Sequence, residues 1–363
     1  MAGLARSLPD YPWDTLAGAT AVARAHPDGV VDLSVGTPVD PTPMIVQQAL
    51  AAASNAPGYP TVWGSAALHQ AIIAYAQGRW GAPALTPTNV AAAVGAKELV
   101  GWLPTLLGLG VDDLIVIPQL AYPTYEVGAV MVGASVQRCD DPAEVSGRPA
   151  LIWVNSPSNP HGGVASPDQM RAWVALARRT GALLVSDECY GEFGWQAPPT
   201  SVLDQAVNDS DLTGVLAVFS SSKRSNMAGY RAGFMAGDAQ LVQQLVAVRK
   251  HLGMIMPAPV QAALTAALGD RAHVDEQRAR YAARRQVMQT ALIGAGFRIE
   301  GSQAGLYLWA TRDEPGRASV DWLAQRGILV APGDFYGPTG VNHIRVAMTA
   351  TDERIAAAAQ RLA

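Results

Sequence analysis

The chain has 363 residues, 49% of them hydrophobic and 15% charged, enough apolar material for a sizeable core and about two domains, which excludes a disordered chain. Its formal charge of −4, with no basic stripe, excludes a nucleic-acid surface held by phosphate contacts, so an acidic substrate has to be met by local arginines. Cys139 and Cys189 cannot build a disulfide framework, and no Cys/His pair has metal-ligand spacing, which fits a reducing cytoplasm.

Taken from the N-terminus, MAGLARSLPDYPWD is interrupted by charge or proline every few positions and lacks the apolar core of a signal peptide. Residues 41–78 carry no Asp, Glu, Lys or Arg, yet prolines, glycines and glutamines break them up, so they do not read as a membrane span. The expectation is a soluble cytoplasmic protein with neither a membrane nor a nucleic-acid partner.

Short apolar runs bounded by turn residues follow at Val90–Val94, Leu114–Ile117, Ala150–Val154, Ala182–Val185, Val215–Phe219 and Gly233–Ala236, and read as buried strands. Between most of them lie helical patterns, such as Glu98–Leu107 and Asp168–Arg179, the latter introduced by Ser166-Pro167. This alternation predicts an α/β fold with a mostly parallel sheet covered by helices on both faces. After Gly237 a stretch rich in Ala, Gln and Arg runs from Ala239 to about Ile293, with Pro257 and Pro259 marking a bend. Strand-like runs return at Leu306–Ala310, Ile328–Val330 and His343–Ala347. The predicted organisation is a large domain over residues 39–255, a smaller α+β domain over 256–363, and an N-terminal arm, 1–38, that joins the small domain.

Open α/β sheets hold ligands beyond the carboxyl ends of their strands. Lysine occurs only at Lys97, Lys223 and Lys250, so amine chemistry has three candidates. Lys223, in Ser220-Ser221-Ser222-Lys223, directly follows an apolar run; Lys97 opens a helix, and Lys250 sits with Arg249 and His251 at a helix end, where cations suit the dipole. Asp187-Glu188 ends the preceding run, with Tyr190 close behind, and Asn155-Ser156-Pro157-Ser158-Asn159-Pro160 supplies a rigid turn at a third strand end. Arg231, the serines and the helix-opening amides near Gly95-Ala96-Lys97 make a phosphate cradle. Neither G-x-x-x-x-G-K-[ST] nor G-x-G-x-x-G follows a strand, which weakens kinase and dehydrogenase readings. An amine for an imine, a carboxylate for a ring nitrogen, a phenol and an amide for a ring hydroxyl, and a phosphate cradle match the four handles of pyridoxal phosphate.

Along almost its whole length the chain resembles the fold-type I pyridoxal-phosphate enzymes, specifically the class I/II aminotransferases. Ser220-x-Ser222-Lys223 followed by Gly229-Tyr230-Arg231-x-Gly233 is similar to the family's lysine and phosphate-arginine signature. Asn159-Pro160-His161-Gly162-Gly163 stands where the family has its Asn-Pro-x-Gly turn, and Asp187-Glu188-Cys189-Tyr190 where it has Asp-Glu-x-Tyr. The resemblance implies that Lys223 bonds the cofactor aldehyde, Asp187 pairs with the pyridine nitrogen, and Tyr190 and Asn159 bond the phenolic oxygen. It implies that Ser220, Ser222, Arg231 and the amides of Ala96 and Lys97 hold the phosphate, while Tyr122 stacks on the ring. His343-Ile344-Arg345-Val346 resembles the strand whose arginine clamps the substrate α-carboxylate, and Gly36 the glycine that approaches the same group. Tyr59 matches a tyrosine that reaches the phosphate from the partner subunit, which implies a homodimer. Two departures stand out: Leu68-His69 replaces the commoner Leu-Arg, and His161-Gly162-Gly163 the commoner Thr-Gly.

Within the family, Lys223 to Arg231 is similar to the segment of bacterial N-succinyldiaminopimelate aminotransferases, Arg224-Ser225-Asn226 being its discriminating part. This resemblance implies transamination between N-succinyl-LL-2,6-diaminopimelate and 2-oxoglutarate in lysine biosynthesis. Both amino substrates, glutamate included, carry a remote carboxylate, for which Arg224 is nominated as the extra cation. The alternatives are another class I aminotransferase, acting on glutamine, kynurenine, aromatic or aliphatic amino acids, and a pyridoxal-phosphate β-lyase cleaving carbon–sulfur bonds.

Overall fold

The computed structural model describes residues 8–363, so the first seven residues of the N-terminal arm lie outside it. Strand β1 (Val31–Asp32) belongs to that arm, and the next seven strands build one sheet. They are β2 (Val90–Ala93), β3 (Leu114–Ile117), β4 (Ser135–Arg138), β5 (Leu151–Asn155), β6 (Leu183–Asp187), β7 (Val215–Ser220) and β8 (Gly233–Gly237). Their order is β2-β8-β7-β6-β5-β3-β4; β3 to β7 pair in parallel with their neighbours, and only β8 runs antiparallel to both β2 and β7.

Continuous apolar runs make these strands because both faces of the sheet are covered. Ile152 and Val154 of β5 point into one core layer with Leu184 and Ala217, whereas Leu151 and Trp153 point into the other with Val185 and Leu216. The connecting helices carry their own boundary signals. Ser166 caps the helix Pro167–Thr180, its Oγ accepting from Gln169 N at 3.2 Å while Gln169 Oε1 accepts from Ser166 N at 2.9 Å, and Gly181 closes it at φ 72°.

The smaller unit holds a four-stranded antiparallel sheet in the order β12-β13-β10-β9, from β9 (Arg298–Glu300), β10 (Tyr307–Thr311), β12 (Ala331–Pro332) and β13 (Ile344–Ala347). Strand β11 (Ile328–Leu329) pairs in parallel with β1, Val31 opposite Ile328, which ties the described part of the arm to this unit. Its core joins Leu33, Leu308, Leu323, Val346 and Ile355.

One expected boundary moves. The helix Ala258–Gly269 sends Ala263, Leu264 and Ala267 into the large core beside Val46 and Ile72, so residues 256–269 belong with the large domain. The division falls near Asp270, after which the helix Ala272–Gly294 delivers Met288 and Leu292 to the small core. Pro257 and Pro259 start a helix, a position proline favours, and do not mark a domain border. Strands β4 and β9 escape the sequence reading because SVQR and RIE are short, polar and partly exposed. Among the described residues no helix is long and apolar enough to cross a membrane.

Candidate active site

The carboxyl ends of β5, β6 and β7 lie side by side. Register places Asn155 opposite Asp187, and Asn155 Nδ2 donates to the Asp187 carbonyl at 2.9 Å while its Oδ1 accepts from Asn159 N at 2.7 Å. The turn after β5 is thereby fixed to the end of β6. Lys223 stands in the single helical turn Ser221–Arg224 that continues β7, capped by Ser220 Oγ accepting from Ser222 N at 3.1 Å. Ser221 Oγ and the Ala232 carbonyl, 2.8 Å apart, hold this turn against the chain entering β8.

That anchor sets Arg231, which adopts φ 53° and lays its guanidinium over Gly95. A Cβ at position 95 would collide with Arg231 Nη2, and Gly95 itself has φ 77°, so both space and backbone require glycine there. Beyond Gly95 the helix Ala96–Leu106 begins with free amide groups. Serines, amides and an arginine converge here as an anion cradle.

Asp187 forms the opposite wall. It is 6% exposed and accepts from Tyr125 Oη at 2.8 Å and Cys189 N at 3.1 Å. Burial pushes its carboxyl above the ordinary value, the two hydrogen bonds opposing. No cation among the described residues pairs with it, so this buried carboxylate carries two hydrogen bonds from neutral donors and no compensating positive charge. Lys223 Nζ donates to the Gly36 carbonyl, and burial, helped by Arg345 and Arg231, holds the amine below its ordinary value, which leaves more of it neutral and able to attack a carbonyl or take up a proton. Burial pushes Tyr122 up to about 12, keeping its phenol neutral.

Arg345 comes from β13 of the small unit, 2% exposed. Its Nη1 donates to Asn159 Oδ1 at 2.8 Å and its Nη2 to the Ser34 carbonyl at 2.7 Å, while its Nε has no partner. The rings of Tyr307, Tyr336 and Trp13 surround it, with centroids 4.0, 5.1 and 6.0 Å from Cζ. A planar donor fixed by two carbonyl oxygens in an apolar box suits a carboxylate.

Gly36, Ala96, Lys97, Tyr122, Asn159, Asp187, Tyr190, Ser220, Ser222, Lys223, Arg231 and Arg345 all line one cavity of about 720 Å³. Tyr59 lies outside it, fully exposed on its own protomer. Arg224 does not face this cavity, which corrects the expectation for it. Its Nε donates to Glu192 Oε1 at 3.3 Å, its Nη1 to the Ala267 carbonyl at 2.6 Å and to Ser225 Oγ at 3.0 Å, and its Cζ lies 5.1 Å from the Tyr75 ring. The one-turn helix points residue 224 away from residue 223, toward a buried carboxylate that Arg79 and Arg271 also share. His69, the other departure, is satisfied locally, its Nε2 3.0 Å from the Trp63 carbonyl.

Sequence reasoning missed Tyr307, whose hydroxyl lies 2.9 Å from that of Tyr190, and the arm residues Tyr11 and Trp13 that wall the cavity beside Phe335. Tyr307 looks like any core residue of a buried strand; its one signal is a phenol in an otherwise apolar run, Leu306 to Ala310.

Pyridoxal phosphate fits these residues. The cradle at Gly95 and Arg231 would take its phosphate, the uncompensated Asp187 its ring nitrogen, Tyr190 and Asn159 its ring oxygen, and Lys223 its aldehyde. The sequence profile described as "Aminotransferase class I and II" matches residues 28–362. A "probable aminotransferase" of Mycobacterium tuberculosis is 59% identical over 361 residues, covering 99% of this chain and 86% of the relative. The 4-dedimethylamino-4-oxo-anhydrotetracycline transaminase of Streptomyces rimosus is 54% identical over 358 residues, 98% of this chain and 99% of that one. Among solved structures, a "probable N-succinyldiaminopimelate aminotransferase" from Thermus thermophilus superposes with a TM-score of 0.87 at 27% identity, over 97% of this chain and 99% of its own. The chain belongs to the class I and II aminotransferases, fold-type I enzymes that depend on pyridoxal phosphate.

Proposed function

We propose that the chain transfers an amino group between N-succinyl-LL-2,6-diaminopimelate and 2-oxoglutarate, as a cytoplasmic homodimer in which Tyr59 reaches the partner subunit's cofactor phosphate. The observation that carries this reading is the set of four cations that line one cavity. Arg231 serves the phosphate, Lys223 the aldehyde and Arg345 the α-carboxylate, which leaves Lys97 free for a carboxylate remote from the reacting carbon. Lys97 Nζ lies 5.7 Å from the Tyr11 ring at the cavity mouth, and with Arg224 committed elsewhere it takes over the role given to that residue.

Bound pyridoxal phosphate supplies the electron sink that makes the substrate α-hydrogen acidic. Arg345 fixes the α-carboxylate, and Asn159 and Ser34 hold the guanidinium in one plane. Asp187 keeps a positive charge at the ring nitrogen, and Tyr125 and Cys189 hold the carboxylate in place. The Lys223 amine, neutral more readily because it is buried, carries the proton to and from the α-carbon. Tyr11, Trp13 and Phe335 limit the access of water.

A second reading has one observation in its favour. Tyr11, Trp13 and Phe335 line the cavity together, an aromatic surface suited to the flat polycyclic ketone named for the Streptomyces relative. A substrate panel separates the two: glutamate is paired with N-succinyl-2-amino-6-oxopimelate, the anhydrotetracycline ketone, N-acetylornithine-derived aldehyde, kynurenine-derived acid or phenylpyruvate. The diaminopimelate reading requires the first acceptor to give the highest kcat/KM and Lys97→Ala to raise its KM; preference for the ketone overturns it. Pyruvate release from cystathionine without an acceptor would indicate the β-lyase.

A further inference from the structure

Tyr307 is a cavity residue with no role in the scheme above. It stands on β10, 4% exposed, with its hydroxyl 2.9 Å from the Tyr190 hydroxyl and the two rings T-shaped at 5.5 Å. The same hydroxyl abuts Gly36, where any Cβ would overlap it. Arg345 lies over the face of the Tyr307 ring, 4.0 Å from its centroid. One side chain therefore touches the carboxylate clamp with its face and the ring-oxygen donor with its edge.

The direction of the phenol–phenol bond decides what Tyr190 does. A hydroxyl gives its single proton to one acceptor at a time, so a Tyr190 that donated to Tyr307 would have nothing to offer the cofactor. The positive charge of Arg345 over the Tyr307 ring favours Tyr307 as the donor. With Tyr307 donating, the lone pair of Tyr190 is occupied and its proton is free to point at the ring oxygen.

We propose that Tyr307 is a positioning residue for transamination: its hydroxyl donates to Tyr190 and so holds the Tyr190 proton on the cofactor's ring oxygen. The inference rests on the reading of the cavity as the pyridoxal-phosphate site. A weaker or misdirected Tyr190 leaves the ring oxygen more basic, so the lysine-bound cofactor keeps its proton to higher pH.

The test is a pH titration of the visible absorbance of the holoenzyme without substrate, for wild type, Tyr307→Phe, Tyr190→Phe and the double variant. Tyr307→Phe keeps the ring beneath Arg345 and removes only the hydroxyl. Its midpoint is expected to rise by about 0.5–1 pH unit, Tyr190→Phe to rise further, and the double variant to match Tyr190→Phe alone, because Tyr307 works through Tyr190. KM for the amino acid is expected to stay unchanged in Tyr307→Phe and to rise in Tyr307→Leu, which uncovers Arg345. An unmoved midpoint in Tyr307→Phe beside a shifted Tyr190→Phe, or full additivity in the double variant, overturns the relay alone. An unmoved midpoint in Tyr190→Phe overturns the placement of the cofactor as well.

Discussion

Arg345 of the small unit donates to Asn159 of the large one at 2.8 Å, so the guanidinium proposed to hold the substrate and the amide proposed to bond the cofactor ring are braced against each other across the cleft. Arg345→Lys replaces a planar fork by a point donor and loses one of the two bracing bonds. KM for amino and oxo acids should rise about 10- to 100-fold with the visible absorbance of the bound cofactor intact. Steady-state kinetics beside an absorbance spectrum check both halves.

Lys223→Ala should abolish turnover and the visible absorbance of lysine-bound cofactor, whereas Lys97→Ala and Lys250→Ala should retain the absorbance. Lys250 belongs to the last turn of the helix Ala239–Leu252, away from the cavity. A Lys223 variant that still shows the absorbance would place the reactive amine elsewhere.

Asp187→Ala leaves the cradle and the lysine in place but removes the carboxylate proposed to pair with the ring nitrogen. Cofactor should still bind, while kcat falls by about 10²- to 10³-fold. Unchanged kcat in single-turnover mixing would show that the carboxylate is not the ring's partner.

Glu188 offers a stability experiment of defined sign. It is 3% exposed, accepts from Val202 N at 2.8 Å, and burial pushes its carboxyl from 4.5 up to about 7. Between those values the unfolded chain releases a proton that the folded chain keeps, so stability falls as pH rises from about 4.5 through about 7, by up to about 3 kcal/mol. Glu188→Gln should flatten that decline, with Tm at pH 8 closer to Tm at pH 5 than in the wild type. Parallel melting curves for the two proteins would refute the shift.

Arg224→Ala should lower stability by about 2–4 kcal/mol, because it strips a buried carbonyl and part of a buried carboxylate of their donor. KM for substrates with a remote carboxylate should not change, as the guanidinium faces Glu192 and not the cavity. Chemical denaturation combined with a KM comparison separates this outcome from a substrate-binding role.

Strand-end chemistry was readable because short apolar runs between turn residues announce buried strands, and ligands gather where such strands end. Asp187, Lys223 and Arg231 could be singled out on that ground. The orientation of Arg224 could not, since a four-residue turn gives no periodicity from which to tell the faces of neighbouring residues apart. The helix Ala258–Gly269 went to the wrong domain because its apolar residues occupy most of its circumference, and only contact with Val46 and Ile72 shows which core they fill. Tyr307 was invisible for a related reason: its partners, Tyr190, Gly36 and Arg345, are distant in sequence and meet only after the two units dock.

The pairing of Trp309 with Arg345 and of Tyr307 with Ala347 has a consequence for how the site tolerates change. Side chains alternate across a strand, so removing or adding a single residue between Pro338 and His343 would invert β13 and aim Val346 or Ile344 where the guanidinium belongs. The stretch is therefore intolerant of any odd alteration in its length, and at Gly340, where a Cβ would overlap the Gly333 carbonyl, of a change in residue as well.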